Sequence, residues 1–173
     1  AFEYAHHSYR RDRNFVYVAV SQLNGLALQS ADPKFRSDTV VVRAAVAQNG
    51  LALQFADDFC RADENVVLAA VTQNGLALKF ADAALKADAA LKGSHQIVPT
   101  ALTQNALSLK YAGAEVQRCR EYVAFAVQRN GLALKYADER LCRDEWIVRL
   151  AITQNGLALY YADEIFKRDV ATV

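Results

Sequence analysis

The chain has 173 residues, long enough for one domain with its own core, and 53% of them are hydrophobic, which excludes a disordered segment. Twenty basic residues against 19 acidic ones leave a net charge of +1, which excludes a broad basic field for gripping a phosphate backbone. Apolar runs of only a handful of residues exclude a membrane span, and three irregularly spaced cysteines exclude a disulfide framework and favour a reducing compartment.

The chain opens with AFEYAHHSYRR, which has no apolar signal-peptide core, and Met is absent throughout. Any targeting segment, a plastid address included, is therefore expected outside this sequence. His6 and His7 are adjacent, so on a helix they point to different sides and make a poor metal pair.

From Asn24 onward one string recurs: NGLALQS, NGLALQF, NGLALKF, NALSLKY, NGLALKY and NGLALYY. Its Asn residues are Asn24, Asn49, Asn74, Asn105, Asn130 and Asn155, at spacings of 25, 25, 31, 25 and 25. A fixed period of this size marks a repeat array. The units run 12–37, 38–62, 63–93, 94–118, 119–143 and 144–168, with partial units at 1–11 and 169–173. The single long spacing coincides with ADAALKADAALK at 81–92, a six-residue tandem duplication.

Each unit reads as two helical stretches. Asp12, Asp38, Asp63, Ser94, Asp144 and Asp169 precede apolar runs such as DTVVVRAAVAQNG, and a carboxylate or hydroxyl there accepts the free amides of a first helical turn. Asn-Gly closes each run, Gly being tolerant of a left-handed C-cap. The second stretch carries apolar residues at Leu76, Ala77, Phe80, Ala81 and Ala84, helical spacings that allow one helix or two broken near Ala81-Asp82. Both stretches are too short to stand alone, so neighbours must stack. The predicted fold is all-α, a right-handed α-solenoid of short helix pairs.

The duplication predicts a projecting loop or longer helix around 84–99 and a looser junction there, since six extra residues turn a helix by about 240° beyond whole turns. Pro99 predicts a late start, near Pro99 or Thr100, for the helix after it. The ends show no polar capping unit, so the sequence is expected to be a window of a longer array or to be capped by partners.

The unit D-x-x-V-V-x-x-A-V-x-Q-N-G-L-A-L-K-Y-A-D resembles the tandem helical repeats of the domain of unknown function 4116 family, over essentially the whole chain. The fourth unit departs, with Ala106 for Gly, Ser108 for Ala, Gly113 for Asp and Cys119 for the cap Asp. The resemblance implies a repeat type and no catalytic residues. It also implies an algal, protist or bacterial source, and with it a peripheral subunit of an algal photosynthetic supercomplex as one expectation.

No Ser-His-Asp set, phosphate loop or Cys/His cluster can be read from the residues, so neither an enzyme nor a cofactor or metal is expected. His95 stands alone, Cys60 falls on a core column, and Cys142 lies one position on. The Asn column reads as a structural ladder joining each unit to the next, with Gln48, Gln73, Gln104 and Gln154 beside it. Phe55, Phe80, Tyr111, Tyr136 and Tyr161 read as core rather than a base-stacking platform. The candidate partner contacts are Lys79, Lys110 and Lys135, which stand in one column, and Ala84, Lys86, Lys92 and His95 around the duplication. The expected function is a non-enzymatic scaffold or accessory subunit binding proteins. Its rivals are a module of a larger enzyme or effector and, disfavoured by the charge balance, an RNA-reading array. No transmembrane segment is expected, though a place in a membrane complex is compatible with the sequence.

Overall fold

The computed structural model describes residues 7–87 and 96–170. Among the described residues every regular element is helical and there is no strand. The repeated element is a long helix: Thr39–Gln48, Glu64–Gln73, Ile97–Gln104, Arg120–Arg129 and Glu145–Gln154. Each is followed by a six-residue 3-10 helix, as at Gly50–Phe55 and Gly75–Phe80, and then by a short helix or turn such as Asp58–Ala62. The second stretch of each unit is thus broken at the Ala-Asp pair. Ala56 and Ala81 are extended there, and Asp57 and Asp82 cap the next short helix through the Cys60 amide at 3.0 Å and the Ala84 amide at 2.8 Å.

Successive long helices pack on one another in chain order, and so do successive 3-10 helices. The core lies between them. Val42, Val46, Val67, Val71, Val98, Leu102, Val123 and Val127 are fully buried, as are Leu53, Leu78, Leu109 and Leu134 of the NGLAL strings. A backbone ladder also joins the layers. The amides of Asp57, Asp82, Gly113, Asp138 and Asp163 donate to the carbonyls of Arg36, Arg61, Lys86, Gln117 and Cys142 at 2.9–3.0 Å.

The glycines are explained by distance. A Cβ on Gly50 would meet the Ala70 carbonyl oxygen of the next long helix at 2.3 Å, and Gly25, Gly75 and Gly131 are held as closely by Ala45, Ala101 and Ala151. None of these glycines has the left-handed backbone expected of a C-cap, so that reading is corrected: the position needs the absence of a side chain, not a positive φ. The Ala partners are fully buried and small, which lets the carbonyl come so near.

The duplication is bypassed. Lys86 holds the ladder place that Arg61 and Arg36 hold, and Gly75 approaches Ala101 as Gly50 approaches Ala70. The first ADAALK copy therefore keeps register, and the surplus falls between Lys86 and Gln96, mostly outside the described residues. The expected projection and looser junction around 84–99 lie mostly outside the described residues, while the long helices on either side, Glu64–Gln73 and Ile97–Gln104, pack on each other as other neighbours do. The sparsest contact between successive long helices is the next one, between Ile97–Gln104 and Arg120–Arg129, where Ala106 carries the Cβ that the other layers exclude. The expected late start of this helix is seen, two residues later in the unit than its neighbours though a little before Pro99. The helix begins at Ile97, and Pro99 sits in its first turn, where a missing amide leaves no intrahelical bond unmade.

One layer holds a second irregularity. From Asp12 to Asn24 the chain is one residue longer than from Asp38 to Asn49, and Ala19–Leu23 is a π-helical turn in which the Asn24 amide reaches the Ala19 carbonyl at 3.0 Å. The wider turn absorbs the extra residue and returns Asn24 to register.

Asp38 and Asp144 cap their own helices, through the Val40 and Val41 amides and the Trp146 and Ile147 amides. Each also takes a guanidinium from the first turn of the corresponding helix one unit back, Arg13 of the helix Arg13–Val18 at 2.7 Å and Arg120 at 2.8 Å. The Arg13 and Arg120 hydrogen bonds, helped by the amides, hold both carboxyls below the usual range. A depressed folded value gives stability that is whole above the ordinary Asp value of about 3.9 and is lost as pH falls through the folded value. The thermal midpoint should therefore hold from neutral pH to about pH 5 and drop below about pH 4. Asp38→Asn with Asp144→Asn should lower it at neutral pH and flatten the acid limb, which a pH series of melts reads directly.

Gly50→Ala should destabilise by about 1–3 kcal/mol through overpacking against Ala70. Gly156→Ala, where a Cβ meets nothing within 4 Å, should change the urea midpoint little. Equal effects of the two would sink the close-approach account.

Candidate interaction surface

At two of the joints a side-chain bond between units is made by Gln rather than Asn. Each Asn side-chain oxygen accepts the amide two residues on, from Leu26, Leu51, Leu76, Leu107, Leu132 and Leu157, at 2.9–3.0 Å, and so caps its own 3-10 helix. Asn49, Asn74, Asn105, Asn130 and Asn155 are half-buried and Asn24 is exposed, where burial and a bond one layer on were expected. The side-chain bond to the Gly amide of the previous unit belongs, at two joints, to the residue before the Asn. Gln73 Oε1 accepts the Gly50 amide at 2.6 Å, and Gln154 Oε1 accepts the Gly131 amide. The physical reason is reach: with Gly pressed against the next helix, its amide faces that helix's last turn, where the longer Gln side chain stands.

Asp12 and Asp63 accept the Phe15 and Val66 amides at 2.8 and 3.0 Å. Ser94 lies outside the described residues, and the next long helix has Gln96 at its cap with no side-chain bond. Asp169 does not open a helix. The helix Glu164–Val170 runs through it, because extending an existing helix is easier than nucleating another.

The 3-10 edge carries the predicted lysine column. Lys79, Lys110 and Lys135 are exposed, and each ammonium lies 5.4–5.9 Å from the ring centre of the next residue, Phe80, Tyr111 or Tyr136. Lys135 lies equally near Tyr161, at 5.6 Å. These rings are half-buried and pack against the core. Ala84 is exposed, whereas Lys86 Nζ donates to the Lys79 carbonyl at 2.9 Å and is a backbone tie. Burial depresses its pKa. Lys92 and His95 lie outside the described residues.

A different surface, which sequence reasoning passed over, lies on the outward face of the long helices. Val40, Ala47 and Trp146 are exposed there, and Leu68, Phe125 and Leu150 are half-buried. Thr72, Thr103 and Thr153 are exposed, yet each hydroxyl donates back to its own helix, to the carbonyls of Leu68, Pro99 and Arg149 at 2.7–2.8 Å. An open groove of about 580 Å³ crosses from one long helix to the next, lined by residues that include Arg43, Ala47, Leu68, Ala69 and Thr72. Its one trace in the sequence is the column Ala47, Thr72, Thr103, Gln128 and Thr153, which has no apolar pattern to mark it as a surface.

The three cysteines are free thiols. Cys60 is buried, and desolvation pushes its thiol up to about 12. Cys119 stands at a cap position without capping and donates to Glu121 at 3.0 Å. Among the described residues no group of His, Cys, Asp and Glu is arranged to hold a metal ion. No described helix is long and apolar enough to cross a membrane.

No curated protein and no solved structure matches the sequence. The algal and photosynthetic expectations gain nothing from these comparisons. A family match falls on residues 22–59, 41–86 and 119–167, more than half of the chain, and passes over the end of the duplication and the irregular fourth unit. With its Asp caps, Asn-Gly joints and layered helices, the chain belongs to the family described as Domain of unknown function (DUF4116).

Proposed function

We propose that the protein is a non-enzymatic scaffold, a right-handed α-solenoid whose long-helix face binds protein partners. The observation that carries this reading is the treatment of Thr72, Thr103 and Thr153. Their hydroxyls are satisfied within the helix, so the face offers methyl groups beside Leu68, Ala69 and Phe125. Such a surface gains by covering apolar area and leaves few polar groups to desolvate on binding. The 3-10 edge is the second candidate contact through Lys79, Lys110 and Lys135. An RNA-reading role draws no support from it, because the lysines lie against the rings that bases would have to stack on.

The test uses partners recovered from the native source by pull-down. Ala47→Glu and Thr72→Glu place a charge on the exposed long-helix face, and Ala114→Glu places one on an exposed short helix. The first two should abolish capture with melting unchanged, and the third should leave capture intact. Retained capture by both face variants overturns the assignment of the face.

A further inference from the structure

The long helices distribute charge unevenly. In all five, every acidic residue sits in the first turn: Glu64, Glu121 and Glu145. Beyond that turn there is no Asp or Glu, while Arg43, Arg129 and Arg149 stand on or beside the outward face. The segment 13–23 also lacks any acid. The helix dipole accounts for acids at the N-terminal turn and for Arg129 in a last turn. It does not account for Arg43 and Arg149, both mid-helix and exposed, on a face otherwise made of Ala, Thr, Leu and Phe.

The arginines are also available. Arg149 has one partner, Glu145 at 3.0 Å, in a pair so exposed that it is worth little. Arg129 lies over the Phe125 ring at 3.6 Å, which leaves its guanidinium edge open to a carboxylate. Arg43 lines the groove that also holds Leu68 and Thr72. Cationic forks set among apolar patches, with Glu145 the acid that reaches one of them, complement a ligand that alternates carboxylates with apolar side chains.

We infer that the long-helix face takes an acidic protein segment in which Glu or Asp alternates with apolar residues, its carboxylates meeting Arg43, Arg129 and Arg149. This rests on the scaffold reading and adds to it the chemistry of the partner. Three arginines beyond the first turns of five helices are too few to follow a phosphate at every nucleotide, so a peptide suits the face better than a nucleic acid.

The experiment measures fluorescence anisotropy of the intact protein with three labelled peptides of identical apolar residues, alternating with Glu, Gln or Lys, and with single-stranded RNA as competitor. The Glu peptide should bind about tenfold or more tighter than the Lys peptide at low salt and lose most of that advantage at high salt. R43E/R129E/R149E should reverse the preference, and R43K/R129K/R149K, which keeps the charge and guards against a folding artefact, should retain it. Equal binding of the three peptides, abolished by Thr72→Glu, overturns the acidic-partner inference and leaves the scaffold reading standing. RNA displacing the Glu peptide at equal concentration overturns the inference in favour of a polyanion site. Failure of every peptide, with native partners cross-linking only to the 3-10 edge, overturns both the inference and the choice of face.

Discussion

The stack is governed by a contact that leaves no space for a methyl group. At Gly25, Gly50, Gly75 and Gly131 the backbone comes so near the next helix's Ala carbonyl that an added Cβ would lie 2.1–2.3 Å from oxygen. Much of the repeat is a consequence of that distance. The partner residue must be Ala, and it is fully buried each time. The Gly amide, turned toward the neighbouring helix end, is met by Gln73 or Gln154. Asn then remains to cap the 3-10 helix locally. Val and Leu on the turns either side fill the space that the close approach defines.

The fourth unit gives the same argument in reverse. Ala106 puts a methyl where the other layers have none, and the contact onto Arg120–Arg129 is the sparsest of its kind. The substitutions around it concern the same junction. Ser108 replaces a buried Ala and keeps an Oγ without a hydrogen-bond partner, Gly113 leaves the short helix uncapped, and Cys119 stands where Asp38 and Asp144 clamp an arginine. Gln117, in the place of Arg36 and Lys86, donates to the carbonyls of Leu109 and Ala112 at 3.1 and 3.2 Å as they donate to those of Gln29 and Lys79. The duplication just upstream leaves the stacking unchanged, since its surplus falls outside the ladder. A local insertion is harmless to a stack when the residues on both sides keep their partners, whereas one methyl at the joint is not.

How much of the molecule was legible in the sequence depends on how far each signal reaches. The caps at Asp38, Asp63 and Asp144 and the break at Ala81-Asp82 involve residues two or three apart, and spacing alone carries them. Positions whose meaning depends on the next layer were harder. Asn-Gly reads locally as a helix stop, and only the neighbouring Ala carbonyl shows why the residue is Gly. Asn and Gln stand side by side in four of the six units, and only the turn of the backbone decides which one crosses. Pro99 reads as a helix breaker until its place in the first turn is known. The π-helical turn at Ala19–Leu23 was countable, as one residue too many between Asp12 and Asn24.

The outward face was illegible for a different reason, and that reason bears on function. In an array, whatever recurs in every unit is there for the stack, because every unit solves the same packing problem. The recurring columns of Asn, Gly, Ala and Leu therefore say nothing of a partner. The information lies in positions the stack leaves free. One column reads Arg43, Leu68, Pro99, Ala124 and Arg149 down the five long helices, exposed at the two arginines, half-buried at Leu68 and Pro99 and buried at Ala124, while the inward Ala column beside it does not change. A uniform array would present the same residue at each step. This one presents charge at two units and apolar or rigid residues between them. The stack itself calls for neither Arg43 nor Arg149, both of which are exposed.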